Sequence, residues 1–351
     1  MSLFSFYRIS RPSRVCVPEE RVSEEYRRYR NRTFWGVTGA YALYYVCRMT
    51  MAVVKQPLID GGVFSAQWLG VIGSTFYFAY ALGKFCNGFI ADYCNIRRFM
   101  ATGLILSTII NLLMGLSGLA SGFLGFSSSA LFILFSVLWG INGYCQSMGA
   151  PPGVISLSRW FPLASRGTYY SIFSSTPYVG KALSLFFIGL VVGGLGWEYG
   201  FLFSAIAGVA GAFMILLLVS DTPQSKGLPS VQQFSGEPEL KTDSLPVREL
   251  QKGVVRHPGI WIIALSSAFV YITQHAVSDW GILFLPGSYF LEILHVSVFS
   301  LSIGIVYCIV TGLMALDIVP RKACGAALGM VGLASYACAG IQNIVLSLIH
   351  I

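Results

Sequence analysis

Charge is what this 351-residue chain has least of: Asp, Glu, Lys and Arg make up 11% of it, against about 25% in soluble domains. A soluble fold of this length would need polar surface that the sequence lacks. Also missing are HExxH, GxSxG and Walker motifs, and any pair of carboxylates within an apolar run, so an enzyme is not expected. The eight cysteines form no CxxC and no Cys/His metal spacing. They are read as small buried residues, and no metal, disulfide or cofactor is expected. Residues 1–32 hold no long apolar stretch and no small-residue cleavage site, so they are not read as a secretory signal.

What is abundant is apolar: 55% of residues are hydrophobic, 14% aromatic, and 38 are glycine. Both aromatics and glycine suit membrane helices. A span needs about 20 mostly apolar residues. Such runs occur at 34–54, 68–91, 99–119, 130–149, 169–195, 199–220, 260–285, 296–316 and 323–349, which predicts about nine helices. Backbone in lipid must satisfy its own hydrogen bonds, so the expected class is an all-α multi-pass membrane protein. The expected organisation is a tail (1–32), a six-helix bundle (33–220), a linker rich in Pro, Ser, Glu and Lys (221–258) and a partial second bundle (259–351).

The net charge of +8 could suggest nucleic acid as a partner. Placement points elsewhere. With the tail in the cytoplasm, 19 of the 23 Lys and Arg fall in the tail or in loops on its side, as the positive-inside rule requires. The basic charge then faces the lipid headgroups, and the expected location is a plasma membrane (the inner membrane of a bacterium). Lys55 lies near an outer loop. Arg48, Lys84 and Lys181 lie within apolar spans. A cation there costs at least about 2.5–3.5 kcal/mol, so it is expected to face a wet cavity or a partner.

An internal repeat is visible. LYYVCR, ending at Arg48, matches FVYITQ, ending at Gln274, and PLASRGTYYSI more weakly matches PRKACGAALGM. In this register the second half lacks counterparts of its second, third and sixth helices. Loss of two adjacent spans leaves the sidedness of the later spans unchanged.

Several stretches make the chain recognisable. GFIADYCNIRR (Gly88 to Arg98) resembles the loop motif of the major facilitator superfamily. There Gly88 permits close helix approach, Asp92 caps and charge-pairs at its helix end, and Arg97 and Arg98 anchor to the inner face. YALYYVCR, YALGKF, GAPPG, SRGTYYSIFS, DTPQSKGLP, SDWG and ALDIVPRKACGAALGMVGL resemble the organophosphate:phosphate antiporter family. That family includes glycerol-3-phosphate and hexose-phosphate transporters and a hexose-phosphate sensor. The resemblance implies the facilitator fold, here with an incomplete second half. It also implies a midplane site between two bundles and exchange of an organic phosphate for inorganic phosphate, without ATP or metal. A non-transporting sensor with a signalling partner, or an inactive shortened relative, are the alternatives.

By the same resemblance Arg48 is the phosphate-binding arginine, Lys84 a cavity lysine, and Tyr41, Tyr45 and Tyr80 pocket tyrosines. The chemistry agrees at Arg48, whose fork suits phosphate oxygens at any relevant pH. The bland reading of Lys84 is snorkelling to the inner headgroups. Tyr41, Tyr45 and Arg48 share a helix face by their i, i+4 and i, i+3 spacing. The chain departs from the family where a second cation is implied, since Gln274 stands there with His275 about 100° away around the helix. It departs again at Pro177, which stands in place of a histidine. Lys181, one turn on, is the candidate to restore charge to the cavity.

Overall fold

The structure is a computed structural model that describes residues 3–125, 127–238, 244–280, 302–304, 306 and 308–349. Among these it is helical, with one isolated bridge between Arg8 and Cys94 and no strand. After a short α1 (Leu3–Tyr7) the main helices are α2 (Glu19–Asp60), α3 (Ala66–Ala91), α4 (Ile96–Leu124), α5 (Ser128–Gln146), α6 (Ala150–Trp160), α7 (Leu163–Leu183), α8 (Gly189–Leu195) and α9 (Trp197–Leu218). The linker carries α10 (Val231–Ser235) and α11 (Val247–Arg256). The second half contributes α12 (Pro258–Trp280) and α13 (Cys324–Ile349).

Local chemistry sets the helix ends. Ser65, Asn95 and Ser127 each accept a hydrogen bond from a first-turn backbone N–H, of Trp68, Arg98 and Ala130 respectively. These are ordinary N-caps. Glu19 and Glu20 occupy the first turn of α2, the positive end of its dipole. α4 stops at Gly125, whose φ of 64° favours glycine. α7 contains Pro177 and passes through a π-helical turn at Ser184–Ile188 before α8, so the two form one uneven span.

Among the described residues, seven helical segments are long and apolar enough to cross a membrane. An eighth is formed if α11 and the apolar part of α12, bent by 64°, count together. Eight of the nine expected spans are thus accounted for. Of the ninth, 296–316, residues 296–301, 305 and 307 lie outside the described residues, as do residues 281–285 of the seventh span, Gly281 of the SDWG stretch among them. Two features differ from the sequence reading. The helix of the first span begins at Glu19 within the basic tail, so α2 runs unbroken for 42 residues. The linker contains an amphipathic helix, α11, with Leu250, Gln251 and Val254 buried.

The first six spans form one bundle held by packing and by interior polar bonds. Ser107 donates to Asn142 Oδ1 (2.6 Å) and accepts from Gln146 Nε2 (2.7 Å), while Thr50 and Ser204 share a 2.6 Å bond. Such pairs are worth about 0.6 kcal/mol each in a membrane interior, so they align helices more than they stabilise them. Against this bundle lies α13, chiefly on α3, with α12 on its other flank.

Candidate functional site

The two halves approach most closely at Gly88. A Cβ there would lie 2.5 Å from Gly325 O and 2.8 Å from Gly329 Cα. Side-chain-free backbone on both helices lets α3 and α13 touch, which brings Tyr336 of α13 against α3. Tyr336 packs on Tyr80 (ring centroids 4.3 Å apart) and Tyr271 of α12 (4.8 Å).

Arg48 projects from the middle of α2 into this aromatic group and is buried. Its guanidinium carbon sits 4.5 Å from the Tyr80 ring centre, and between 5.1 and 5.2 Å from those of Tyr336, Tyr45 and Phe76. Its hydrogen bond to Tyr336 O–H is long, at 3.4 Å. No carboxylate lies within ion-pair distance of it among the described residues. Ring faces hold a cation at about 0.5–2 kcal/mol each, yet they do not neutralise its charge.

Arg48 lines a central cavity of about 30 Å³ together with Tyr45, Lys181, Gln274, His275 and Tyr336. Tyr77, Tyr178 and Tyr271 complete its wall. Gln274 Nε2 donates to Tyr178 O–H (3.4 Å), His275 Nδ1 is 3.3 Å from Tyr77 O–H, and the Lys181 ammonium is 5.9 Å from the Tyr178 ring. The repeat read from sequence reappears here, since Tyr45 with Arg48 faces Tyr271 with Gln274 across one space. That space holds about one water, far below the roughly 300–1,000 Å³ of a ligand pocket. A second small cavity reaches from Arg48 towards Lys55.

Of the expected residues, Tyr45, Arg48, Lys181 and Gln274 line the cavity. Tyr80 supports Arg48 from behind. Lys84 does not snorkel: it is buried, its stem lies against Gly332, and its ammonium is 6.0 Å from the Tyr80 ring. Tyr41 falls short of the cavity. It shares a face with Tyr45, but it meets α7 where packing is tight and stacks on Phe173 at 5.0 Å.

The loop motif works across the halves rather than within its own helix. Asp92, at the end of α3, accepts from the N–H of Gly325 (2.8 Å) and Ala326 (3.1 Å) at the start of α13. Gln251 Nε2 of the linker helix also donates to it (2.9 Å). The expected capping role is played on the unsatisfied N–H groups of α13, and Asp92 makes no ion pair among the described residues. Arg97 is exposed, and Arg98 donates to Phe6 O of the tail (2.6 Å). Burial pushes the Asp92 carboxyl up to about 6, against the lowering effect of its hydrogen bonds and of Arg159. Nearby, Arg159 pairs with Asp221 of the DTPQS stretch at 2.5 Å, and Asp221 also caps Ile96 N–H (3.0 Å). The side of the molecule bearing the tail is therefore closed between the halves.

A bundle of apolar helices, with buried cations and tyrosines where its two parts meet, defines an all-helical multi-pass membrane protein. The chain belongs to the Major Facilitator Superfamily, whose pattern matches residues 37–351. It is 32% identical to a probable hexose phosphate transport protein of Chlamydia pneumoniae over 76% of this chain and 59% of that protein. It is 27% identical to the membrane sensor protein UhpC of Escherichia coli over 75% and 59%. Among solved structures, the proton:xylose symporter XylE aligns with a TM-score of 0.58 over 92% of this chain and 89% of that one. At 14% identity this likeness speaks for the fold alone. The chain spans about three-fifths of the length of the curated relatives it matches.

Proposed function

We propose that this chain is a secondary carrier that exchanges organic phosphates (hexose phosphate or glycerol phosphate) for inorganic phosphate by alternating access. Its site on this reading is the cavity beside Arg48. The observation that carries the proposal is a mid-span guanidinium ringed by aromatic side chains, with a long hydrogen bond to Tyr336 (3.4 Å) and no carboxylate beside it among the described residues. A phosphate oxyanion offsets the cost of that charge through two parallel charge-assisted bonds. Lys84 and Lys181 add positive potential, Tyr45 offers a hydroxyl, and Gln274 offers an amide N–H. With about 30 Å³ available, the conformation described is a shut one, and the bundles must part to admit substrate. The tail side is taken as cytoplasmic, on the distribution of Lys and Arg.

The test is reconstitution of the chain in liposomes loaded with inorganic phosphate. Uptake of labelled hexose phosphate that depends on internal phosphate supports the proposal. Binding without exchange favours a second reading, a membrane sensor working through a signalling partner. Two observations favour it: Gln274 leaves the second half of the cavity uncharged, and a sensor is among the relatives.

A further inference from the structure

Where the halves meet on the tail side, Arg166 and Arg321 lie about Glu237, with Asp317 a further charged neighbour of Arg166. Glu237 of the linker accepts from Leu163 N–H at the start of α7 (2.7 Å) and pairs with Arg321 just before α13. Arg166, one turn into α7, is 7% exposed, and its charged neighbours are Arg321, Glu237 and Asp317. Its Nε and Nη2 are buried and have no hydrogen-bond partner among the described residues. The same holds for Arg321 Nη1, Arg30 Nε and the hydroxyl of Tyr26. Tyr26 in turn has Arg30 and Arg321 for charged neighbours.

Every orphaned atom in this group bears a donor hydrogen. Leaving any of them unpaired carries a desolvation cost, larger for the charged ones. Two carboxylates, Glu237 and Asp317, do not neutralise three guanidinium groups. The cluster is well separated from Arg48's cavity, since Arg166 precedes Tyr178 by about 18 Å of helix. Arg321 also lines a cavity of about 1030 Å³ on the tail side, bordered by Asp92, Arg159 and Lys322.

We propose that Arg166 and Arg321, with Arg30 and Tyr26 beside them, form a second oxyanion site for a phosphate group. Its occupant is a free phosphate, the phosphate end of an ester or an acidic lipid headgroup, which share the same chemistry. Two guanidinium forks suit tetrahedral oxygens. Glu237 is a tethered competitor that occupies part of the site when the halves are closed. The site stands independently of what binds at Arg48.

The experiment uses the full chain carrying Arg48→Gln, so that the central cavity does not contribute. Inorganic phosphate is titrated by calorimetry in nanodiscs of phosphatidylcholine. Saturable binding is expected to remain. Adding Arg166→Gln should weaken it at least about tenfold, the loss of one charge-assisted bond. Adding Glu237→Gln should tighten it, a change of sign that a misfolded protein does not give. Replacing part of the lipid with phosphatidylglycerol separates the sources. A fall in apparent phosphate affinity assigns the site to headgroups, and no change assigns it to free phosphate. Absence of saturable binding in the Arg48→Gln chain overturns the proposal, as does binding that Arg166→Gln leaves untouched. Binding indifferent to Glu237→Gln removes the competitor role.

Discussion

Arg48 shows how a single side chain can be stabilised without being satisfied. The rings of Tyr45, Phe76, Tyr80 and Tyr336 surround its guanidinium, its hydrogen bond to Tyr336 is long, and no carboxylate neutralises it among the described residues. Arg48→Ala should therefore abolish binding of inorganic phosphate in calorimetry while circular dichroism shows unchanged helix content. Arg48→Lys keeps the charge but loses the fork, and should weaken binding by about tenfold. Gln274→Arg places a second fork across the same space and should tighten phosphate binding by a similar factor. Unchanged affinity would remove position 274 from the site. Spacing made part of this site legible. Tyr178 and Tyr271 each stand three residues before a residue singled out in the sequence, Lys181 and Gln274. Tyr336 carries no such sign, because its partner Arg48 is 288 residues away and only the packing of α13 on α3 joins them.

At the scale of elements, the contact between α3 and α13 holds the closed state of the proposed cycle. Gly88→Val puts side-chain atoms where Gly325 O lies. Overpacking of this kind costs about 1–3 kcal/mol, and should raise the accessibility of Cys324, now buried, to thiol reagents. Asp92 makes the same contact sensitive to acid. In the closed state its carboxyl is pushed up to about 6 by burial. Once exposed it returns towards the ordinary value near 3.9. Closing then binds a proton in that window, so the closed state is favoured as pH falls through about 6 and loses that advantage as pH rises above it. Spin-label distances across the tail side should show fewer open molecules at pH 5 than at pH 7.5, and Asp92→Asn should flatten the difference. The glycine's role was readable from its motif. The element that Asp92 serves was not, since a cap on a distant helix leaves no local pattern.

For the whole molecule, the expected spans derive from bilayer thickness and apolar run length, which is why eight of nine emerge as helices among the described residues. Composition was a poorer guide to the tail and linker. It marked them as a tail and a linker without giving their helices, whereas the tail joins α2, and Tyr26 is buried with its ring stacked on Phe234 at 4.0 Å. Orientation is testable directly. Cys16 in the tail is exposed, so an impermeant maleimide should label it only after cells are permeabilised, while Lys55→Cys should be labelled in intact cells. The 42 residues of α2 make a rod about 63 Å long, roughly twice the hydrocarbon thickness of a bilayer. Its fulcrum is near Arg48, and its far end, Glu19, lies about 44 Å away. A tilt of about 10° around a bound anion would swing that end by about 8 Å, so the helix is a lever that turns a small movement in the membrane into a large one outside it.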